Sequence, residues 1–218
     1  MAAAFALAAC GGDDGSASST GPVTMDQRVV TEEDWPDSKP DPVEKPLAVS
    51  GADEFVSKLG DEFINPTQEE VDDLKSSSFV RALRRTRYMS ETGHSPQAPH
   101  ASSLVMQFST EQDAKDAVDT LHLDSLRPCP KTCAEQAEEF DVADIPGALG
   151  THRSATAASI QQTGDSEETP FDGFEIQFSD GVFAYRMILS GPPGKVTQDE
   201  AEDIAKSLYD RVKNAPAA

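Results

Sequence analysis

The chain has 218 residues, with 39 Asp and Glu against 18 Lys and Arg, a formal net charge of −21 and a pI near 4.3. Such a surface repels nucleic acid and anionic lipid headgroups, so neither is expected as a direct partner of the folded part. Aromatic residues make up 6% of the chain, which is low. The length still suffices for one domain with extensions.

Residues Ala2 to Ala9 are small or apolar, with Phe5 and Leu7 the bulky members. A membrane-spanning helix needs about 20 apolar residues, so this stretch is read as a signal-peptide core and not as a span. It runs into Leu7-Ala8-Ala9-Cys10-Gly11, which resembles the lipobox of bacterial lipoproteins. The resemblance implies cleavage before Cys10 and lipid on its thiol. The membrane would then be a partner through that lipid, and the protein would sit on the extracytoplasmic face of the cell membrane. Signal peptides ordinarily begin with Lys or Arg, yet the first Arg here is Arg28; the true start is therefore expected upstream of Met1.

Residues 11–46 are rich in Gly, Ser, Asp and Pro. They are expected to be a disordered acidic linker, spanning on the order of 35 Å if flexible. Trp35 is the exception, and is expected to dock on the domain. The domain is placed at 47–214, with a frayed tail at 215–218.

Within the domain, Ser50 with Asp53 resembles a helix cap, followed by Phe55, Leu59 and Phe63 at helical spacing. Asn65-Pro66 breaks that helix, and Thr67-Gln-Glu-Glu70 is a capping box for the next, with Val71 and Leu74 inward. Phe79, Val80 and Leu83 continue a helical pattern through Arg81, Arg84, Arg85 and Arg87. These arginines form the densest basic cluster. They are a candidate anion site, with internal pairing to the excess carboxylates as the alternative. Tyr88–Thr92 is read as a strand and Leu104–Phe108 as another. A helix then opens at Ser109-Thr-Glu-Gln112, with Ala114, Ala117, Val118 and Leu121 on one stripe.

Cys129 and Cys133 lie in Pro128-Cys-Pro-Lys-Thr-Cys133. Outside the cytoplasm, a pair this close is expected to form a disulfide. A redox role would favour Cys-x-x-Cys, and a zinc site would need two more ligands. A strand is expected near Phe140 and Val142, a turn at Ile145-Pro-Gly147, a strand over 151–161 and a polar loop over 163–172. The hairpin Phe174–Leu189 follows. With Asp180-Gly181 at its tip, Phe178 faces Phe183, Ile176 faces Tyr185, Phe174 faces Met187 and Glu175 faces Arg186. Gly191-Pro-Pro-Gly194 ends it. Thr197-Gln-Asp-Glu200 opens a last helix with Ala201, Ile204, Ala205, Leu208 and Val212 inward. The order of elements predicts an α+β domain, a mainly antiparallel sheet with helices on one or both faces.

No Gly-x-Ser-x-Gly, glycine-rich phosphate loop or His-Glu-x-x-His occurs. His94 and His100 are assigned to a proline-flanked loop, His122 to a helix end, and His152 to a strand. None is read as catalytic, and no metal or cofactor is expected. The lipobox, the acidic tether and the strand–turn–strand–helix from Phe174 through Tyr185 to Val212 together resemble small surface lipoproteins of Gram-positive, high-GC bacteria. The function expected is a lipid-anchored binding or adaptor module of the cell envelope, whose partner is an envelope protein or cell-wall component. The alternative is a carrier of an apolar or amphipathic ligand, held in a cavity between sheet and helices.

Overall fold

In a computed structural model, residues 23–42, 45–59, 67–89, 98–127, 135–160, 166–213 and 215 are described. Their elements in chain order are a 3-10 turn Met25–Gln27, β1 Lys39–Pro40, β2 Leu47–Ser50, α1 Ala52–Leu59, α2 Gln68–Ser76, β3 Phe79–Tyr88, β4 His100–Phe108 and α3 Glu111–Ser125. There follow β5 Glu135–Phe140, β6 Leu149–Ile160, β7 Ser166–Asp180, β8 Phe183–Gly191 and α4 Gln198–Val212. The fold is α+β. One antiparallel sheet of eight strands runs β1-β3-β4-β8-β7-β6-β5, with β2 also paired to β3 beside β1.

The hairpin β7–β8 occupies the middle of the sheet, and its alternation decides both faces. Phe174, Ile176, Phe178, Phe183, Tyr185 and Met187 do lie on one side, packed under Ala201, Ile204, Ala205, Leu208 and Val212 of α4. The register differs from expectation by two residues. Asp180 pairs with Phe183, Phe178 with Tyr185, Ile176 with Met187 and Phe174 with Leu189, so the tip is Gly181-Val182. Gly181 has φ +55, which suits the first position of a two-residue hairpin turn and strains any other residue. A shift of two preserves the alternation, which explains why the faces are as expected although the partners are not. Glu175 stands opposite Ile188, yet Arg186 still donates to its Oε2 from Nε (3.0 Å) and Nη2 (2.8 Å), across the diagonal.

The other face is covered as well. Val49, Phe55, Ala82, Leu104, Met106, Phe108, Ala114, Val118 and Leu121 form a second core, roofed by α1 and α3. The molecule is thus three layers, with α4 on one side of the sheet and α1 and α3 on the other. Between α3 and the sheet lies a polar stratum. Glu175, Gln177, Arg186, Arg153 and Thr151 are all buried there.

Several expectations are corrected. Residues 79–87 are strand, not helix: β3 pairs along its length with β4 on one side and with β2 and β1 on the other. Local propensity for helix is outweighed by two rows of ladder hydrogen bonds and a buried face on each side. Tyr88 ends that strand and does not begin one; residues 90–97 lie outside the described residues. His100 opens β4 and stacks on Tyr88, with ring centroids 5.3 Å apart. Residues 166–172 are strand, because β6 pairs with them from Ser154 to Ile160. α3 is capped by Thr110, one residue later than expected, whose Oγ1 accepts from Asp113 N at 3.1 Å. The box at Thr67 is in place; Thr197 caps α4 by accepting from Glu200 N at 3.2 Å, but the Glu200 side chain takes Trp35 Nε1 and no reciprocal box forms. Phe140, at the edge strand, lies over Gly150, where an added Cβ would sit 2.6 Å from the ring.

The largest departure is at the N-terminal side. From Val23 onward the chain expected to be linker packs as a strap beside α4. Arg28, Val29 and Val30 are fully buried and Trp35 nearly so, with Trp35 Nε1 donating to Glu200 at 3.0 Å. Asp34 Oδ2 accepts from Thr31 N (2.7 Å), Thr31 Oγ1 (3.0 Å) and the Arg211 guanidinium, while its Oδ1 accepts from Ser207 at 3.0 Å. Arg28 Nη1 donates to the Tyr185 hydroxyl (2.7 Å), and its guanidinium lies 3.8 Å over the Phe183 ring. Burial pushes the Tyr185 hydroxyl up to about 12, against the opposing pull of Arg28. Composition alone misses this, because three apolar anchors and two charged ones suffice to hold the polar residues between them.

Phe178→Ala is expected to cost about 3–5 kcal/mol. Gln177→Ala, on the opposite face, should also cost about 1–3 kcal/mol, since Gln177 is buried and donates to Glu175 at 3.2 Å. Urea denaturation of the two variants checks this; a neutral Gln177→Ala would mean that the α3 face is wet. Asp34→Ala should cost about 2 kcal/mol or more by releasing the strap from Arg211 and Ser207. Faster proteolysis between Val23 and Trp35 at unchanged sheet content would report that release.

Candidate functional site: a cleft clasped between two helices

α2 and α3 lie on the same side of the sheet and are tied to each other at both ends. At one end Glu70, in the first turn of α2, accepts from both terminal nitrogens of Arg127, just past α3, with Nη1 at 2.8 Å from Oε2. At the other end Asp113, in the first turn of α3, accepts from Ser78 Oγ and from Ser78 N (3.3 Å), just past α2. The two helices therefore run antiparallel. Between the two ties they leave a cavity of about 440 Å³. This is within the range of small-ligand sites, roughly 300–1,000 Å³.

Its walls are of two kinds. Leu74 of α2 and Ala117 of α3 supply apolar surface, with Met106 and Phe108 of β4 behind them and almost wholly buried, while Glu70, Asp73, Asp113 and Asp116 bring four carboxyl groups; among the described residues no Lys or Arg lines it. Two of those carboxylates are committed to the ties. Arg127 holds the Glu70 carboxyl below its usual range, with Thr67 adding to the effect and burial opposing it. The Ser78 and Thr110 hydroxyls do the same to Asp113. The Asp116 carboxylate accepts from Gln112 at 2.8 Å. Asp73 has no side-chain partner among the described residues.

The position of α3 is itself fixed from below. Arg153 of β6 donates from Nε to Ser125 O at 2.6 Å, and its Nη2 reaches Ser125, Asp124 and Arg127 carbonyls. These are carbonyls at the helix C-terminus, which have no partner within the helix.

The residues singled out in the sequence are elsewhere. Arg81, Arg85 and Arg87 alternate to the strap side of β3 and Arg84 to the other, since Leu83 belongs to one core and Ala82 to the other. Arg81 donates to Gln107 (2.6 Å), Arg85 to Asp26 (2.7 Å), and Arg87 to Ser38 Oγ (2.7 Å) and Ser38 O (2.6 Å). The strand thus divides the cluster between two faces, and its hydrogen bonds hold the strap. Cys10, Cys129, Cys133 and His94 lie outside the described residues.

His122 of α3 makes a contact that the sequence did not suggest. Its Nε2 is 2.9 Å from Glu139 Oε1, and its Nδ1 is 3.3 Å from Thr151 Oγ1, which is 2.8 Å from Ser125 Oγ. The types are those of an acid, a base and a hydroxyl, but Thr151 and Ser125 have no exposed surface. A substrate could not reach either oxygen, so the chain serves to fasten α3 to β5 and β6. Among the described residues no group of three or more His, Cys, Asp or Glu is placed to hold a metal ion, and no helix is long and apolar enough to cross a membrane.

The cleft residues were visible only singly, Glu70 as part of a capping box and Ala117 as part of an apolar stripe. Their meeting depends on strand β3 bringing the chain back after α2, in the stretch where the sequence suggested helix.

A depressed carboxyl contributes stability that is present above the unfolded value, here 4.5 for Glu70, and lost as pH falls through the folded value. Glu70→Gln should therefore lower stability by about 1–2 kcal/mol at neutral pH. It should also flatten the loss of Tm between about pH 5 and about pH 3. Thermal melts across that range check both; an identical acid slope in the two proteins would remove Glu70 as the clasp.

No family model matches the chain, and no curated protein does. Among solved structures, it is similar to the extracellular domain of PknH from Mycobacterium tuberculosis, with a TM-score of 0.52 and 10% identity over 88% of this chain and 98% of that one. An uncharacterised protein from Mycobacterium smegmatis is matched at a TM-score of 0.40 and 10% identity, over 84% and 97% of the two chains. At such identity, what the first of these comparisons establishes is a shared fold: the three-layer arrangement of this chain also occurs in an extracellular mycobacterial domain.

Proposed function

We propose that this protein is a lipid-anchored, extracytoplasmic binding module and that the cleft between α2 and α3 is its ligand site. The observation that carries the reading is the cleft itself, open in the middle and clasped at both ends by Glu70–Arg127 and Asp113–Ser78. The ties join the two helices at their ends, and the cavity lies between them. The anchor rests on Leu7-Ala8-Ala9-Cys10. The fold likeness to an extracellular domain supports an address outside the cytoplasm, and in that setting Cys129 and Cys133 would be joined as a disulfide.

The strap changes the geometry of such an anchor. Val23, where the described chain begins, is thirteen residues past Cys10, so Cys10 lies at most about 45 Å from it even at full extension. The domain would then be held near the membrane by the face that carries the strap and α4, leaving the α2–α3 side to meet a molecule of the envelope. A carrier of a small amphipathic ligand is the second reading, favoured by the cavity's mixture of apolar Leu74 and Ala117 with polar side chains. A protein partner at the envelope is the first.

Detergent phase partitioning tests the anchor. Expressed with an intact signal sequence in a bacterial host, the wild type should enter the detergent phase and Cys10→Ala should remain aqueous. Aqueous behaviour of both would overturn lipid attachment at Cys10.

A further inference from the structure

We infer that His122 is a proton-operated latch that sets how firmly the edge strand β5 is held to the sheet. β5 ends the strand order on its side and pairs with β6. Two side chains tie it further. Phe140 lies over Gly150 and packs on the α4 side, and Glu139 reaches His122 of α3 on the other. Glu139 and Thr151 are a cross-strand pair, so they share a face. The His122 ring spans both of them, with Nε2 at 2.9 Å from Glu139 Oε1 and Nδ1 at 3.3 Å from Thr151 Oγ1. The ring is buried and Glu139 is exposed.

The partners decide where the hydrogens go. A carboxylate only accepts, so Nε2 carries a hydrogen toward Glu139. The variable hydrogen is on Nδ1. Without it, hydrogens run from Ser125 Oγ to Thr151 Oγ1 (2.8 Å) and from Thr151 to Nδ1, while the His122 carbonyl accepts from Leu126 N at 3.2 Å. With it, Nδ1 donates to Thr151, Thr151 donates to Ser125, and Ser125 donates to the His122 carbonyl at 2.7 Å. The chain reverses by turning two hydroxyls, and each of its members keeps a partner in both states. A tie that served fastening alone would need one of these arrangements, not both.

Glu139 fixes the sign. Among the described residues it is the charged group within ion-pair reach of the ring. On α3, Asp119 one turn earlier is exposed, and Asp124 lies 3.6 Å from Arg127, which is held by Glu70 of α2. Arg153 of β6 stands beside Glu175 of β7, which Arg186 of β8 holds. Acids and bases balance in that surrounding set. Glu138 and His152, a cross-strand pair, alternate to the other face of β5 and β6. A hydrogen added at Nδ1 therefore turns the Glu139 contact from a neutral hydrogen bond into an ion pair, and the latch tightens. Histidine is the side chain whose ordinary range falls between about pH 5 and about pH 8, where carboxylates stay ionised. The latch is therefore firm at the acid end of that range and loose at the other. What it governs is how often the β6 edge beneath β5 is bared for pairing with another strand.

Amide hydrogen exchange of β5 in the whole chain, corrected for intrinsic rates, tests this. Opening should be about threefold rarer at about pH 5.5 than at about pH 8, the size expected of a part-exposed ion pair. Glu139→Gln keeps an acceptor for Nε2 and removes the charge; opening should then be the same at both pH values and match the unsubstituted protein at the higher one. His152→Gln should leave the threefold change in place. Ring nitrogen shifts of His122 in the unsubstituted protein should show Nε2 bearing its hydrogen throughout and Nδ1 gaining one as pH falls. An opening of β5 that ignores pH, that rises at low pH, or that changes equally in Glu139→Gln would overturn the latch. So would an Nδ1 that gains no hydrogen by about pH 5.5.

Discussion

The carboxylate of Glu175 lies between two guanidiniums in the layer beneath α3. Arg186 holds one of its oxygens from the neighbouring strand, and Arg153 Nε lies 3.6 Å from the other. All three side chains are buried. Charges are expensive to take out of water, and a partner removed here would leave another stranded. The arrangement has a direction: Arg153, while beside Glu175, donates from Nε and Nη2 to the carbonyls ending α3. One buried acid on the central hairpin thereby sets where a helix on the far side of the sheet must stop. An apolar stratum would bury α3 as well, but would not register it along its axis.

The opposite face is organised by a different device. There the strap crosses beside α4, and Asp34 joins its own turn to Ser207 and Arg211 on the helix. Arg28 enters a pocket of aromatic side chains, donating to the Tyr185 hydroxyl and lying over the Phe183 ring. Apolar residues of the strap complete the core that α4 alone does not cover. The sheet is thus sealed on both faces, which is why a buried glutamine and a buried glutamate–arginine pair can occupy strand positions that alternation marks as outward.

The cleft follows from these two constraints. α3 is held at its C-terminal end by Arg153 and at its N-terminal end by Asp113, and α2 is attached to it through Arg127 and Ser78. Helices fastened at their ends need not meet in the middle. The floor between them is β4, whose Met106 and Phe108 point to the α3 side. Glu70 and Asp113 are taken up by the ties, and Asp73 and Asp116 follow them about one turn along their helices.

What the sequence by itself determined is local or periodic. The caps at Thr67 and Thr197, the apolar stripe of α4, the alternation of the central hairpin and the docking of Trp35 are all readable, because each depends on side chains a few residues apart or on a strong apolar anchor in a polar setting. Only the tertiary structure decided the rest. The arginine-bearing stretch 79–88 carries no period that separates helix from strand, and becomes β3 because partners 12 to 49 residues away pair with both its edges. The hairpin tip moved by one position at each strand because alternation fixes faces and leaves a shift of two free. The strap folded despite its composition because its anchors meet Tyr185, Ser207 and Arg211, more than 150 residues along the chain. The cleft joins residues 70 to 127 by contacts that have no footprint in spacing, since a cavity is defined by where two packed elements fail to touch.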